Sequence, residues 1–323
     1  MCTAIFDNRC GALFGRTLDL EYSLGEEVVI CPKNYPLPLR HVEHFTRKFA
    51  ILGACILREG FPLFYDGVNE AGVAVAALNF PLSAKYADFD KGKLNLASFE
   101  LIPYLLGTCE SLAEVRERLK KLNVTSVGFS SELPPSPLHW IFADKGGSLV
   151  VECTSQGLKV YENPVGVLTN EPSFDFQLTR LADYSSLDSA PPKNNLCADF
   201  QPKNYSRGLG AFGLPGDFSS SSRFVRATFV KNHTSADGAD GVTRFFHIMD
   251  SVAVPRGCVI TEDGREVETV YTSCMALDEP TYYFKTYSRA KVHAVSLCAA
   301  KLLSGELVRL SMDEDVSETD RAR

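Results

Sequence analysis

Met1-Cys2-Thr3-Ala4-Ile5-Phe6, followed after a turn by Ala12-Leu13-Phe14-Gly15-Arg16-Thr17-Leu18-Asp19, is the stretch around which the chain is organised. Two apolar, strand-like runs flank Asn8-Arg9-Cys10-Gly11, a hairpin turn ending in glycine. If the initiator Met is removed, Cys2 carries a thiol and a free α-amine on neighbouring carbons, a nucleophile with its base built in. An α-amine titrates at about 7.7–8.0 and a thiol at about 8.5. Near neutral pH the amine is therefore available to take the thiol proton.

Polar residues at the ends of other apolar runs supply what such a nucleophile needs. Arg16 and Asp19 close the second run, three residues apart. An Arg beside the first strand favours thiolate, and a carboxylate there holds and orients the α-amine. Taken alone, the same two residues also read as a surface ion pair. Asn79 ends Ala76-Ala77-Leu78-Asn79, and Asn170 ends Gly166-Val167-Leu168-Thr169-Asn170. An Asn past a strand is a turn former or a neutral donor suited to an oxyanion hole. The run Ser219-Ser220-Ser221-Ser222 signals a helix N-terminus and puts Arg223 in the first helical turn. A cation is unfavourable at that end of the helix dipole, so Arg223 asks for a partner charge.

Composition narrows the classes. The 323 residues bury a large core, with 45% hydrophobic and 23% charged residues, as in a globular protein. A net charge of −7 with no basic run argues against a nucleic-acid partner. The N-terminus lacks a signal-peptide pattern, and no apolar window is long enough for a membrane span, so the cytoplasm and no membrane insertion are expected. The 10 cysteines are scattered without a Cys-x-x-Cys pair, and the 6 histidines do not cluster. No metal site is expected, and the thiols are expected to be reduced.

Along the chain, strands are expected at 26–31, 48–57, 62–66 and 72–79. Helices follow at 98–106 and 111–122, the latter opened by a Ser111/Glu114 capping box. Strands return at 139–144, 148–153, 157–161 and 165–169, then a helix at 174–181. Residues 183–217 read as a long functional loop. Helices at 222–232 and 241–252 precede strands at 257–261, 266–273, 281–287 and 291–298. Without a regular βα alternation, the order fits two mainly antiparallel sheets covered by outer helices. Residues 2–323 are read as one domain with a polar tail over about 312–323.

Several segments together resemble the choloylglycine hydrolase family. They are Met1-Cys2-Thr3, Phe14-Gly15-Arg16-Thr17-Leu18-Asp19, Asp66-Gly67-Val68-Asn69-Glu70-Ala71-Gly72, Leu78-Asn79-Phe80-Pro81, Leu138-His139-Trp140, Leu168-Thr169-Asn170-Glu171-Pro172-Ser173-Phe174-Asp175, and Gly213-Leu214-Pro215-Gly216-Asp217 with Ser222-Arg223-Phe224. Seven matches in register are more specific than any one. The resemblance implies an α+β, N-terminal nucleophile (Ntn) hydrolase fold, a four-layer αββα sandwich. It implies that Cys2 becomes the N-terminus and attacks an amide carbonyl, supported by Arg16 and Asp19, with Asn79 (backbone N–H) and Asn170 (side-chain amide) forming the oxyanion hole and Arg223 completing the set. It implies hydrolysis of glycine- and taurine-conjugated bile salts without cofactor or metal, and a homotetramer. Penicillin V acylase, on the same machinery, is the alternative activity; a non-catalytic reduced-thiol protein is the alternative of another class. The apolar pocket a steroid requires is assigned to Leu20, Tyr22, Phe61, Phe64, Phe129 and Leu138, each of which reads equally as core. Ser206-Arg207-Gly208 resembles the family's substrate loop and leans toward glycine conjugates.

Overall fold

The structure, a computed structural model, describes residues 1–238, 240–297 and 305–313, and the statements below concern these residues. Two large sheets face each other. The first runs, edge to edge, through Val167–Leu168, Cys2–Asp7, Leu13–Leu20, Glu266–Ala276, Thr281–Thr286 and His293–Ser296, with Val259–Ile260 alongside Glu266–Ala276. The second runs through Gly157–Glu162, Gly147–Thr154, Leu138–Asp144, Ala74–Asn79, Asp66–Asn69, Ile51–Arg58, Glu27–Cys31 and Val308–Ser311, with Phe61–Phe64 beside Ile51–Arg58. Every pairing in both sheets is antiparallel.

Helices Ser220–His233 and Gly241–Asp250 pack on the first sheet, and helices Leu101–Thr108 and Leu112–Leu119 on the second. The layers are therefore helix, sheet, sheet, helix. The period of two explains the arrangement. In Ala74–Asn79, Ala74, Ala76 and Leu78 face the inter-sheet core shared with Cys2, Ala4 and Phe14, whereas Val75 and Ala77 join a second core under helices Leu101–Thr108 and Leu112–Leu119. A strand buried on both faces has to be apolar, as residues 74–78 are, and the polar Asn79 stands at the exposed end.

Two local features show why the motif residues are what they are. Asn69 turns the chain by accepting from the N–H groups of Ala71 and Val73. Its amide also donates to the terminal carbonyls of helix Leu101–Thr108, Leu106 O and Cys109 O, each at 2.7 Å. Gly15 lets the second strand lie close against Glu266–Ala276: a Cβ there would sit 2.0 Å from Ser273 O. We expect Gly15→Ala to destabilise the fold by at least ~1–3 kcal/mol through overpacking, read as a lower midpoint in thermal denaturation.

The structure departs from the sequence reading in places. Parallel strands Leu94–Ala97 and Leu122–Thr125 form a small separate sheet, so the second helix ends at Leu119 and Leu122 begins a strand. These four-residue strands are too short to show a period. The Ser111 cap is present, its Oγ accepting from Glu114 N at 3.3 Å, but the Glu114 carboxylate reaches back to Glu110 N, so the capping box is half formed. Val308–Ser311, to which no element was assigned from sequence, is an edge strand on Glu27–Cys31. Cys298, in the strand expected at 291–298, and tail residues 314–323 lie outside the described residues.

Candidate active site

Cys2 opens the first strand and lies opposite Leu18; Thr3 lies opposite Thr17 and Ala4 opposite Arg16. Alternation therefore puts Cys2 and Arg16 on the face toward the second sheet, and Thr3, Thr17 and Asp19 on the face toward helix Ser220–His233. The three-residue spacing of Arg16 and Asp19 separates them across the strand, and both are fully buried. A surface ion pair is excluded.

On the thiol side, Arg16 Nη2 donates to Cys2 Sγ. The rest of the guanidinium is fixed by main-chain carbonyls: Nε on Thr17 O at 3.1 Å, and Nη1 on Ala77 O at 2.7 Å and Tyr65 O at 3.4 Å. Burial works against the Arg16 charge. The neighbours Cys2, Tyr271, Asp66 and Asp19 outweigh it and raise its pKa above the ordinary guanidinium value. A permanent cation thus touches the sulfur in a water-poor site.

On the other face, Asn170 Oδ1 accepts from Cys2 N at 2.8 Å and from Arg223 Nη2 at 2.8 Å. Arg223 Nη1 also bonds Cys2 O and Thr3 Oγ1, each at 2.5 Å, and its Nε bonds Phe218 O at 3.0 Å. Its partner charge is Asp19, with Oδ2 at 4.0 Å. Burial lowers the Arg223 pKa, opposed by Asp19 and Cys2. The Asp19 carboxylate is held by the Thr269 hydroxyl at 2.7 Å and the Thr17 hydroxyl at 3.3 Å. A buried cation at a helix N-terminus is tolerated because every polar edge of it is engaged.

Met1 extends the strand ladder by one residue. Its carbonyl accepts from Asp19 N at 3.0 Å, and its ammonium donates to Asp19 O at 2.6 Å. Removal of Met1 would leave Cys2 N as the terminal amine, already seated on Asn170 Oδ1.

Asn79 and Asn170 meet: Asn170 Nδ2 donates to Asn79 O at 2.7 Å. That bond uses one N–H of the amide and leaves the other for a ligand. The sequence reading did not identify what braces this pair. His139 lies inside the Leu138-His139-Trp140 motif and is fully buried. Its Nε2 contacts Thr169 O at 2.8 Å, its Nδ1 lies 3.3 Å from Glu152 Oε1, and its ring stacks on Phe80 at 4.3 Å. It thereby ties the residue before Asn170 to the residue after Asn79. The Ser220 hydroxyl accepts from Asn170 N at 2.8 Å and donates to Thr169 Oγ1 at 2.9 Å. Buried His and Glu in strands otherwise apolar were the available signal.

The pocket residues named from sequence do not gather in one place. Leu20 packs against the Cys2 core, and Tyr22, just beyond it, is exposed. Phe61 and Phe64 are buried in the core under helix Leu101–Thr108, where Phe129 packs on Phe61 at 5.9 Å. Leu138 lies opposite Asn79 in the ladder and packs on the same outer core. Ser206 and Arg207 are exposed and line a surface cleft with Tyr205 and Pro191. Among the described residues no cluster of His, Cys, Asp or Glu suits a metal ion, and no helix is long and apolar enough to cross a membrane.

A family model for linear amide C–N hydrolases, the choloylglycine hydrolase family, matches residues 2–317. A bile salt hydrolase/transferase of Lactiplantibacillus plantarum is 45% identical over 310 residues, covering 95% of this chain and 96% of that protein. The crystal structure of a conjugated bile acid hydrolase from Clostridium perfringens superposes with a TM-score of 0.90 at 34% identity, covering 96% of this chain and 97% of that one. A penicillin V acylase from Agrobacterium tumefaciens shares the fold with a TM-score of 0.74 at 21% identity, covering 96% of this chain and 91% of that one.

Proposed function

The chain belongs to the choloylglycine hydrolase family, and we propose that it hydrolyses the amide bond of glycine- and taurine-conjugated bile salts through a thioester on Cys2. The observation that carries this reading is the placement of Cys2 between two fixed groups: its sulfur against the Arg16 guanidinium, its nitrogen on Asn170 Oδ1.

In the proposed cycle, Met1 is removed and Cys2 N becomes an α-amine. The amine takes the thiol proton, and the thiolate attacks the amide carbonyl carbon. Negative charge moves to the carbonyl oxygen, where the second N–H of Asn170 and the backbone N–H of Asn79 receive it. The C–N bond breaks as the α-ammonium returns its proton to the leaving amine, which departs as glycine or taurine. The acyl group stays on sulfur. Water then gives a proton to the α-amine and attacks the thioester; the bile acid leaves and Cys2 is regenerated. Asp19 and Arg223 act through Cys2 and Asn170: Arg223 holds the Asn170 carboxamide oxygen, so the amide N–H groups point the other way.

Leu20, which follows Asp19, and Leu138, opposite Asn79 in the ladder, are proposed to border the steroid site with Tyr22 just beyond Leu20; Phe61, Phe64 and Phe129 are proposed to shape it from behind. Ser206 and Arg207 are proposed to meet the amino-acid end of the conjugate, with glycine preferred. The chain is further proposed to work as one domain in the cytoplasm and to form a homotetramer. Exposed Leu196, Phe200, Tyr205 and Phe212 on the long loop offer apolar surface for contacts between copies.

The deciding experiment is amino-acid release from glycocholate, taurocholate and penicillin V by purified protein, with intact mass measured alongside. The expected result is loss of Met1 (about 131 Da), release from both conjugates, and faster release from glycocholate. Release from penicillin V alone would make the protein an acylase of that class. Retained Met1 with no release from any substrate would favour a non-catalytic thiol protein.

A further inference from the structure

Asp66 opens the strand Asp66–Asn69 on the second sheet, is fully buried, and faces the first sheet. Its carboxylate is saturated. Oδ1 accepts from Tyr282 OH at 2.7 Å and from Ala54 N at 3.3 Å; Oδ2 accepts from Tyr271 OH at 2.9 Å and Ser273 Oγ at 3.1 Å. Four donors fill the four lone-pair sites of an ionised carboxylate. Three donors come from the opposite sheet, so Asp66 bridges the sandwich.

The bridge ends at the active site. Ser273 Oγ, which donates to Asp66, accepts from Arg16 N at 3.2 Å. Tyr65, next in sequence to Asp66, offers its carbonyl to Arg16 Nη1. Arg16 is thus held at its main chain by the hydroxyl Asp66 orients, and at its guanidinium by the residue beside Asp66. Charge follows the same route, since Asp66 and Cys2 both act on the Arg16 charge. One buried cation faces two groups that compete for it.

We propose that Asp66 is a positioning residue for the nucleophile: it fixes Arg16 across the sandwich through Ser273 and shares the guanidinium charge with the Cys2 sulfur, thereby governing how readily the thiol ionises. Burial raises the Asp66 pKa, and Arg16, Tyr282, Tyr271 and Ala54 oppose that rise. The other titratable groups coupled to this node are Tyr65, Tyr271, Tyr282 and Cys55, each pushed upward by burial and so neutral near neutral pH. On the far face, Asp19 also acts on Arg16. Arg223, on that same face, acts on Cys2 as well, so the charge balance at the sulfur is set by Arg16, Asp66, Asp19 and Arg223 together with the α-amine that Met1 removal leaves on Cys2.

Asp66→Asn isolates the charge. Its oxygen keeps Ala54 N and Tyr282 OH, and its amide faces the Tyr271 and Ser273 hydroxyls, which turn to accept. With the competing anion gone, Arg16 favours the thiolate more. The test is the pH dependence of iodoacetamide reaction at Cys2, read by peptide mass, with exposed Cys197 and Cys258 as internal references. The midpoint at Cys2 is expected to fall by about one pH unit, with the reference cysteines unmoved. A folded Asp66→Asn protein whose Cys2 midpoint stays put or rises overturns the proposal. Should that variant not fold, Ser273→Ala takes its place: kcat is expected to fall roughly tenfold through misplaced Arg16, with KM within about twofold. Wild-type kcat in Ser273→Ala overturns it equally. The inference rests on Cys2 being the nucleophile but not on the substrate. Alkylation needs no bile salt, so failure to cleave the conjugates would sink the substrate reading and leave this test standing.

Discussion

Cys2→Ala is expected to lower kcat for amino-acid release from glycocholate by at least ~10⁴-fold, the scale seen when the attacking atom of a cooperating set is removed. The structure gives the loss a narrow cause. Cys2 is the first residue of its strand, and its main chain is fixed independently of the sulfur, by the ladder to Leu18, by Asn170 Oδ1 on its nitrogen, and by Arg223 on its carbonyl. Alanine keeps all three. A buried Cys packs as a small hydrophobe, so the variant should lose little stability, about 1 kcal/mol. Arg16 then keeps Thr17 O, Ala77 O and Tyr65 O, and lacks only the sulfur. The discriminating result is an inactive protein with a near wild-type melting curve. Residual activity within about tenfold of wild type would remove Cys2 from the reaction.

Asn170→Ala is expected to lower kcat by ~10²–10³-fold, the cost of one lost oxyanion donor, and to do so with KM changed far less. The residue has two jobs at opposite ends of one amide. Its oxygen collects Cys2 N and Arg223 Nη2, and its nitrogen faces Asn79 O and the proposed oxyanion. Asn170→Asp separates them. The acceptor side is kept, the donor side is lost, and a negative charge is placed where charge develops in the transition state. If the donor matters most, the Asp variant is at least as impaired as the Ala variant. If orienting the α-amine matters most, Asp is the milder of the two. Steady-state kinetics on the two proteins, checked for folding by thermal melts, distinguishes the cases. A loss smaller than about tenfold in both would take the oxyanion role from Asn170.

Much of the candidate site was legible because its residues are out of place by local rules. Arg16 and Asp19 interrupt a strand that is otherwise uncharged, Arg223 stands at the wrong end of a helix dipole, and Asn79 and Asn170 close apolar runs. Each conflict between residue and local structure pointed to a partner elsewhere in the chain. Partners themselves were not legible. His139, Glu152, Ser220, Ser273 and Thr269 are ordinary residues in their own segments. Ser220, Thr269 and Ser273 meet Asn170, Asp19 and Arg16 across 50 to 257 positions of sequence, and His139, held by Glu152, meets the neighbours of Asn170 and Asn79. Asp66 was visible as the first letter of a motif and carried no role there, because nothing in Asp66-Gly67-Val68-Asn69 says which side chains the opposite sheet will present to it.

The sequence by itself determined the class of fold and the candidate for the reacting atom. Alternating burial writes strands directly into the order of residues, and a thiol at position 2 is legible without any partner. The tertiary structure alone decided how the groups divide. A period of two sends Arg16 to one face of its strand and Asp19 to the other, so one face brings Arg16 to the Cys2 sulfur and the other brings Asn170 and Arg223 to the Cys2 main chain. Which side chains meet on each face depends on how two sheets stack and where helix Ser220–His233 enters. Those are packing outcomes of the whole chain, and no single segment encodes them.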